Sequence, residues 1–477
     1  MTKRPVVIGP SSKRNEILPL HPSSFDAADI SLSPPEHEEE QESMPDRISR
    51  VSADERDLKH FYNIEISSTR FARLKEYYKA ELKDLETAPF EFYDQQSKVD
   101  YLLLKNYLKR CLRQLDLDRE KDKLMEKLLP FAETIIKLCE ARQKTDPVQG
   151  QEVGRDMAEI CRVAAAVRAK IIGGEEVFTS NVSRETAYRA SKTVQQLREH
   201  LQEYFDFYAG YDPVFTWWVK ADHEKADHEL HELSTTILEQ LVGIKPGSQG
   251  AIVGEPIGRE GLLAELNGEM IPYTPEELIR IAENEERWCI SELKKASDEL
   301  GYGNNWKGAL EYVKSKYVQP GMQPQLVNEL LHEGAAYMRQ HDLVTVPPLA
   351  EETWRMFMLS PEAQQVSPFF LGGDSILVAY PTDAMDYSSK LMTMRGNNRH
   401  FSRATVFHEM IPGHHLQFHM LERYKPYRKL FDTPFWIEGW ALYWEYILWD
   451  KSFFRTPKIA SELCSGACIA VPVFYSP

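Results

Sequence analysis

Apolar residues recur every three or four positions along most of the chain. In the stretch KVDYLLLKNYLKRCLRQL they fall at Val99, Leu102, Leu103, Tyr107 and Leu108. This spacing is typical of an α-helix with one buried stripe. Similar patterns predict further helices at 120–142, 152–170, 183–209, 225–242, 306–318 and 323–340. The sequence therefore predicts a mainly α-helical protein.

Local signals mark one helix start and one strand. At YTPEELIRIAENE, Thr274 can cap a helix, Pro275 suits its first position and Glu277 completes a capping box. The stretch DSILVAYP, 374–381, follows two glycines and carries a strong strand signal. It precedes a histidine-rich stretch, where it could offer its backbone to an extended peptide as an edge strand.

Composition along the chain predicts four regions. Residues 1–50 are rich in Ser, Pro and Glu and poor in periodic apolar positions, which is typical of a disordered acidic leader. We predict an N-terminal helical subdomain over 51–250 and a catalytic subdomain over 251–460. After residue 460 helical periodicity is lost, so 461–477 is predicted to be an aberrant tail.

Charge and hydropathy narrow the classes of partner. The net charge of -16 argues against nucleic-acid binding through phosphate contacts. The sequence has neither a run of about twenty apolar residues nor a recognisable secretory signal, so we expect a cytoplasmic protein with no membrane contact. The six cysteines are sparse and are expected to be reduced, buried thiols.

The stretch FHEMIPGHHLQFH, 407–419, has the composition of a metal site. A hydrolytic zinc needs three protein ligands, an open position for water and a carboxylate that takes the water's proton. On a straight helix His415 would lie roughly 10 Å beyond His408, and His414 would point elsewhere. Pro412 and Gly413 can break the helix and let His414 return beside His408. The interruption therefore favours a metal site.

A third ligand is available in FWIEGWALYWEYILW. Glu438 and Glu445 lie on one helical face, and Gly439 would permit close helix approach. We predict that Glu438 binds the metal and that Glu445 orients a histidine, although the two could exchange roles. The alternative is a set of structural histidines near a helix kink.

The histidines of KADHEKADHELHEL, 220–233, are expected on a solvated helix face.

The motifs HEMIPGHHLQ and EGWALYWE resemble the family called domain of unknown function 885, which is grouped with zinc peptidases whose third ligand is a glutamate. The long histidine spacer also resembles that of dipeptidyl peptidase III. The resemblance covers roughly 55–458 and implies a zincin-like helical fold with a small β-sheet at the cleft. It implies His408 and His414 as ligands, Glu409 as general base and Glu438 as third ligand.

The tail departs from the family pattern. After residue 460 the family would continue into further helices bearing arginines, whereas this chain reads SELCSGACIAVPVFYSP. A neighbouring reading frame can be written that resembles the missing helix. A frameshift or mispredicted splice site near residue 460 is therefore a hypothesis, which transcript sequencing would test.

These residues predict a zinc metallopeptidase. Glu409 would take a proton from water and pass it to the leaving amine, and Tyr443, His415 or Tyr380 would stabilise the oxyanion. The substrate would be a peptide or a small amide. A hydrolase of a non-peptide amide and a helical scaffold without catalysis are the alternatives. Zinc is expected, with manganese or cobalt open, and the oligomeric state is not predicted.

Overall fold

Helices form nearly all of the regular secondary structure in the computed structural model of the protein. The structure describes residues 42–179, 182–245, 253–366, 370–373 and 375–454. Within them the α-helices, numbered α1 to α18 in chain order, are Met44–Phe61, Ser68–Thr87, Gln95–Met125, Ala132–Gln143, Gly150–Ile172, Glu176–Thr179, Arg184–Tyr208, Pro213–Ile237, Gly258–Gly268, Pro275–Glu299, Trp306–Lys314, Gln323–Gln340, Pro348–Glu352, Pro361–Val366, Tyr387–Gly396, Arg399–Glu409, His414–Leu421 and Pro434–Asp450. Short 3-10 turns cover Phe90–Phe92, Glu126–Leu128 and Pro426–Phe431, and a π-helical turn covers Leu238–Val242. The prediction of a mainly α-helical protein is confirmed.

Helix ends differ from the sequence predictions where a cap or a short turn intervenes. The predicted helix at 120–142 is two helices, because α3 ends at Met125 and α4 begins at Ala132. Helix α8 begins a full twelve residues before the predicted 225, since Asp212 caps it through the backbone N–H groups of Val214 and Phe215. The capping box of Thr274 at the start of α10 is confirmed.

Helices α5, α7 and α8 pack around a shared apolar core. A Cβ at Gly154 of α5 would lie 2.7 Å from the carbonyl oxygen of Trp218, so glycine lets α5 and α8 approach closely. His223 of α8 is buried and its ring stacks 4.1 Å from that of Phe205. The predicted solvated face is therefore wrong for His223. The buried side chains of α5 repeat with helical spacing at Val153, Met157, Ile160, Ala164, Val167 and Ile171.

A second core forms where α12, α16 and α18 meet. The guanidinium of Arg403 on α16 donates a 2.5 Å hydrogen bond to the carboxylate of Glu333 on α12. A Cβ at Gly334 would lie 2.7 Å from the carbonyl oxygen of Ile411, so α12 passes close to the chain after α16. The buried Phe407 belongs to this core. Helix α12 thus holds helix α16 in place through this ion pair and the shared apolar core.

Three short strands form one sheet in the order β1-β3-β2. Strand β1 is Met356–Met358, β2 is Phe370–Leu371 and β3 is Ile376–Val378. Strand β1 runs parallel to β3, and β2 runs antiparallel to it. The prediction that the DSILVAYP strand lies at an edge is wrong, because two flanking strands of two and three residues pair with both its sides.

The described residues begin near the end of the predicted leader. Helix α1 begins at Met44, inside the predicted leader of 1–50. The described residues from Met44 to Phe454 belong to one compact unit. The predicted boundary at residue 250 falls within 246–252, and the predicted tail 461–477 also lies outside the described residues. Among the helices that the structure describes, none is long and apolar enough to cross a membrane.

Candidate metal centre

The helix that carries His408 stops just before the proline and glycine. Helix α16 begins after Asn398, whose side chain accepts hydrogen bonds from the N–H groups of His400 and Phe401. It ends at Glu409, and α17 begins at His414. The predicted break between the two histidines is therefore confirmed.

Two backbone hydrogen bonds, each between residues six positions apart, connect the two sides of the break. The N–H of Gly413 donates to the carbonyl of Phe407 at 3.0 Å, and the N–H of Leu416 donates to that of Met410 at 3.1 Å. A Cβ at residue 413 would lie 1.6 Å from the carbonyl oxygen of His408, so only glycine fits. This folded-back segment brings α17 beside the end of α16.

Three side chains converge at the break. Ligand atoms of His408, Glu409 and His414 all lie within 4.8 Å of one another, and all three residues are buried. The imidazole rings of His408 and His414 are 4.8 Å apart and nearly perpendicular, at 87°. Within the part of the chain that the structure describes, this is the group with the geometry to bind a metal ion.

Glu438 on α18 completes the group. Its carboxylate lies 3.4 Å from Nε2 of His408 and 3.8 Å from Nε2 of His414. Two ligand atoms held about 2.1 Å from one tetrahedral zinc lie about 3.4 Å apart. Both distances are near this value, so Glu438 is placed to share an ion with each histidine. The Glu438 side chain is 61% exposed, so the site opens to solvent on this side.

The second nitrogen of each histidine has its own partner. Nδ1 of His408 lies 2.6 Å from the carboxylate of Glu445, and Nδ1 of His414 lies 3.3 Å from the amide oxygen of Gln417. Each contact holds the ring with Nε2 toward Glu438. Glu445 therefore lies on the Nδ1 side of His408 and Glu438 on its Nε2 side, while the metal-binding and orienting roles of the two glutamates stay predictions.

Electrostatics at the site reflect burial and this pairing. Burial lowers the pKa of His408, but hydrogen bonds to Glu438 and Glu445 outweigh it and raise the pKa to about 10. Burial, and then the charge of His408, lowers the pKa of His414. The hydrogen bond from His408 holds the pKa of Glu438 below its usual value. Burial raises the pKa of Glu409 to about 7.

Several contacts that hold the site were not found from the sequence. The indole N–H of Trp440 on α18 donates to the carbonyl of Pro412 at 3.0 Å, which ties α18 to the break. A Cβ at Gly372, next to β2, would lie 1.9 Å from Oε2 of Glu409. Gln417 is the last residue of HEMIPGHHLQ, three positions after His414. This helical spacing is the one sequence signal that could have indicated its contact with His414.

Other sequence predictions are not supported by the geometry. Nε2 of His415 lies 2.8 Å from the carbonyl oxygen of Ala350, so its ring faces α13 rather than the metal ligands. A neighbour on a helix is rotated by about 100°, which turns His415 away from His414. A Cβ at Gly439 would meet no atom within 4 Å, so this glycine does not mediate close helix packing.

The two tyrosines remain predictions. Tyr443 is 57% exposed, and its ring packs edge-on against that of Trp444. Tyr380 lies partly buried against the core that includes α16. Among the contacts of the described residues, neither hydroxyl is placed on a metal ligand.

Comparison with known proteins adds the fold and the family. No curated protein matches the chain. A solved structure from Shewanella oneidensis, described as a putative lipoprotein of unknown function, is 16% identical with a TM-score of 0.59. The match covers 91% of this chain and 81% of that chain. At this identity the likeness shows a shared fold.

The predicted family resemblance is confirmed over most of the chain. A family model described as bacterial protein of unknown function (DUF885) matches residues 63–461. This span is close to the 55–458 expected from the motifs, and it contains His408, His414 and Glu438. The chain therefore belongs to the family of domain of unknown function 885.

Proposed function

We propose that the protein is a zinc-dependent hydrolase that cleaves peptide bonds. The proposal is carried by one observation, the approach of the Glu438 carboxylate to Nε2 of both His408 and His414, beside the buried carboxylate of Glu409. Two imidazoles, one carboxylate and a further carboxylate that is not needed as a ligand form the donor set of a hydrolytic zinc site. A zincin-like architecture is part of this proposal.

A zinc ion bound there would supply a Lewis acid that polarises a carbonyl group and lowers the pKa of water. Glu409 has the position for the proton transfers. Its carboxylate is buried, and its oxygen lies within 4.8 Å of ligand atoms of His408 and His414, next to where an ion would bind. We propose that Glu409 takes a proton from the attacking water and delivers it to the leaving amine.

The supporting residues act on the ligands. Glu445 accepts the Nδ1 proton of His408 and so orients the ring, which would leave Nε2, the atom beside Glu438, to bind a metal. Gln417 does the same for His414 through its amide oxygen. Trp440 holds the segment between the two histidines. Gly372 leaves room for the Glu409 carboxylate.

The first experiment measures metal. Elemental mass spectrometry on purified protein is expected to find about one zinc per chain, because the three proposed ligands form a single binding site. Glu438→Ala removes one ligand and should lose the metal. Glu286→Ala, an exposed glutamate on α10, is the matched control and should keep it. Well-folded wild-type protein without zinc would contradict the proposal.

The second experiment tests catalysis. A library of fluorogenic peptides is screened with wild-type protein and Glu409→Gln. The variant keeps the size of the side chain but cannot accept a proton, so we expect zinc to stay bound and turnover to disappear. Cleavage at an unchanged rate by Glu409→Gln would exclude the proposed base. If the protein binds zinc but cleaves only non-peptide amides, the proposed peptide substrate is wrong and the non-peptide alternative is correct.

A further inference from the structure

An apolar pocket lies beside the helices that carry the metal ligands. It has a volume of about 510 Å³, is partly open to solvent, and is lined by residues of α3, α17, the first half of α18, the turn Pro426–Phe431 and the segment around Thr345. Leu416, Met420, Trp436 and Trp440 form its apolar walls. Small-molecule sites in proteins have volumes of about 300–1,000 Å³ and predominantly apolar, aromatic linings. The pocket therefore has the size and lining of a ligand site.

This pocket does not belong to the metal centre. Trp436 and Trp440 each stand two positions from Glu438 along α18. Residues two apart on a helix are rotated by about 200°, so both indoles project to the side of α18 opposite the Glu438 carboxylate. A molecule in the pocket would contact the back of the ligand-bearing helices rather than a substrate at the metal.

Two hydrogen-bonded links join the pocket wall to the metal ligands. Trp440 donates its indole N–H to the carbonyl of Pro412 at 3.0 Å and approaches that of Gly413 at 3.3 Å. Gln417 also lines the pocket. Its amide N–H donates to the carbonyl of Trp436 at 3.3 Å, while its amide oxygen contacts Nδ1 of His414 at 3.3 Å. Side chains that a ligand would touch thus also position the break and the second histidine.

The chemistry of the walls defines the ligand. Leu416, Met420 and the two tryptophans offer apolar surface and aromatic faces, which favour a flat ring system. The charged lining residues are Lys425, Arg428 and Asp432; the first two are paired, and Asp432 is exposed to solvent. Arg428 donates to Asp100 at 2.7 Å, and Lys425 donates to the amide oxygen of Gln96. The fit is therefore to an uncharged ring-bearing molecule.

We propose that this pocket binds an uncharged, ring-containing apolar molecule, and that its occupancy changes the affinity of the His408–His414–Glu438 site for metal. The binding step stands without the proposed function, whereas the coupling rests on it. Coupling between two sites is reciprocal, so zinc must change the affinity for the apolar molecule by the same factor.

Binding is tested with N-phenyl-1-naphthylamine, an uncharged fluorescent probe, on the full-length, metal-free protein. We expect one saturable site. Thr345→Trp places a large ring at the exposed edge of the pocket and should weaken binding at least about tenfold, which is about 1.4 kcal/mol. Ser388→Trp adds the same ring to an exposed position on α15 and should not change it. Absence of saturable binding, or equal binding by both variants, would overturn the site.

Coupling is tested by titrating zinc with and without saturating probe. We expect a change in zinc affinity of about fivefold or more, the usual scale of coupling between sites. Trp440→Phe keeps an aromatic ring in the pocket wall, although a smaller one, and removes the indole N–H, so the variant should still bind the probe and should show reduced coupling. Thermal unfolding of this variant checks that it is folded.

The outcomes separate the two proposals. Probe binding without any zinc binding would sink the metal proposal and the coupling but leave the apolar site. Zinc binding without probe binding would sink the apolar site alone. Unchanged zinc affinity with probe bound would exclude the coupling. Probe binding that appears only after removal of residues 455–477 would mean that the chain's own end occupies the pocket, and would overturn the proposal of a small-molecule site.

Discussion

Replacing Gly413 by alanine tests the folded-back segment at the metal centre. The added Cβ would lie 1.6 Å from the carbonyl oxygen of His408 and 2.6 Å from that of Phe407. Real Cβ atoms essentially never come closer than 3.0 Å to such atoms, so the backbone must move by more than an ångström. Both obstructing groups are backbone, and no side-chain rotation can relieve the overlap.

The magnitude follows from the contacts that this movement disturbs. The hydrogen bond from the N–H of Gly413 to Phe407 would be lost, and the contact of Trp440 with the Gly413 carbonyl would be weakened. Each such bond contributes about 1 kcal/mol, and forced overpacking costs about 1–3 kcal/mol. We expect Gly413→Ala to lower the free energy of unfolding by about 2–5 kcal/mol and to displace His414.

Gly439→Ala is the matched control. Gly439 lies within α18 beside Glu438, and a Cβ there would meet nothing within 4 Å. Alanine inside a helix is favoured over glycine by about 0.5–1 kcal/mol, so this change should stabilise the protein slightly. The same substitution is thus expected to have opposite effects at two glycines of the same site.

The assay is urea unfolding followed by circular dichroism, performed on metal-free protein so that zinc binding does not add to stability. Zinc affinity is then measured on the folded fraction of each variant. A loss below about 1 kcal/mol for Gly413→Ala, with normal zinc affinity, would refute the steric reasoning, since overpacking of this kind costs at least that much.

Two further substitutions and one chemical modification test other parts of the structure. Glu445→Gln should weaken zinc binding by about 10–100-fold, as losses of groups that orient ligands do, and a chelator competition that finds no change would contradict its orienting role. Gly372→Ala would place a Cβ 1.9 Å from Oε2 of Glu409. It should lower peptide cleavage while zinc stays bound, and full activity would show that this approach is not required. Burial raises the pKa of Cys111 to about 11 and that of Cys139 to about 12. At pH 8 about one Cys111 thiol in a thousand is then ionised, so native protein should resist alkylation at both sites, which peptide mass mapping would check against urea-unfolded protein.

The metal-binding candidates were predictable because each lies in a short, self-contained pattern. The spacing of His408 and His414 excludes a regular helix, and Pro412 with Gly413 supplies the break. Glu438 follows in an aromatic-rich helix whose phase also places Glu445. Such inferences need only the rotation per residue and the donor preference of zinc.

Features that depend on distant segments were not predictable. Strand β3 became central because of β1 and β2, which are too short to show a period in sequence. His415 was expected near the metal, but its ring nitrogen Nε2 is hydrogen-bonded to the carbonyl of Ala350, 65 residues away in sequence. The approach of Gly372 to Glu409 likewise depends on tertiary packing. Gly439 was misassigned because an exposed glycine and one that mediates packing look the same in sequence.

The hydrogen bonds from Gly413 to Phe407 and from Leu416 to Met410 both span six residues. A regular helix spans four, so the break between α16 and α17 accommodates two residues more than the hydrogen-bond spacing of a continuous helix. Removing two residues between Glu409 and His414 would restore the ordinary pairing and place the two histidines four positions apart, one turn along a continuous helix. A spacing of six positions between the two histidines and a spacing of four therefore differ only by the removal of two residues.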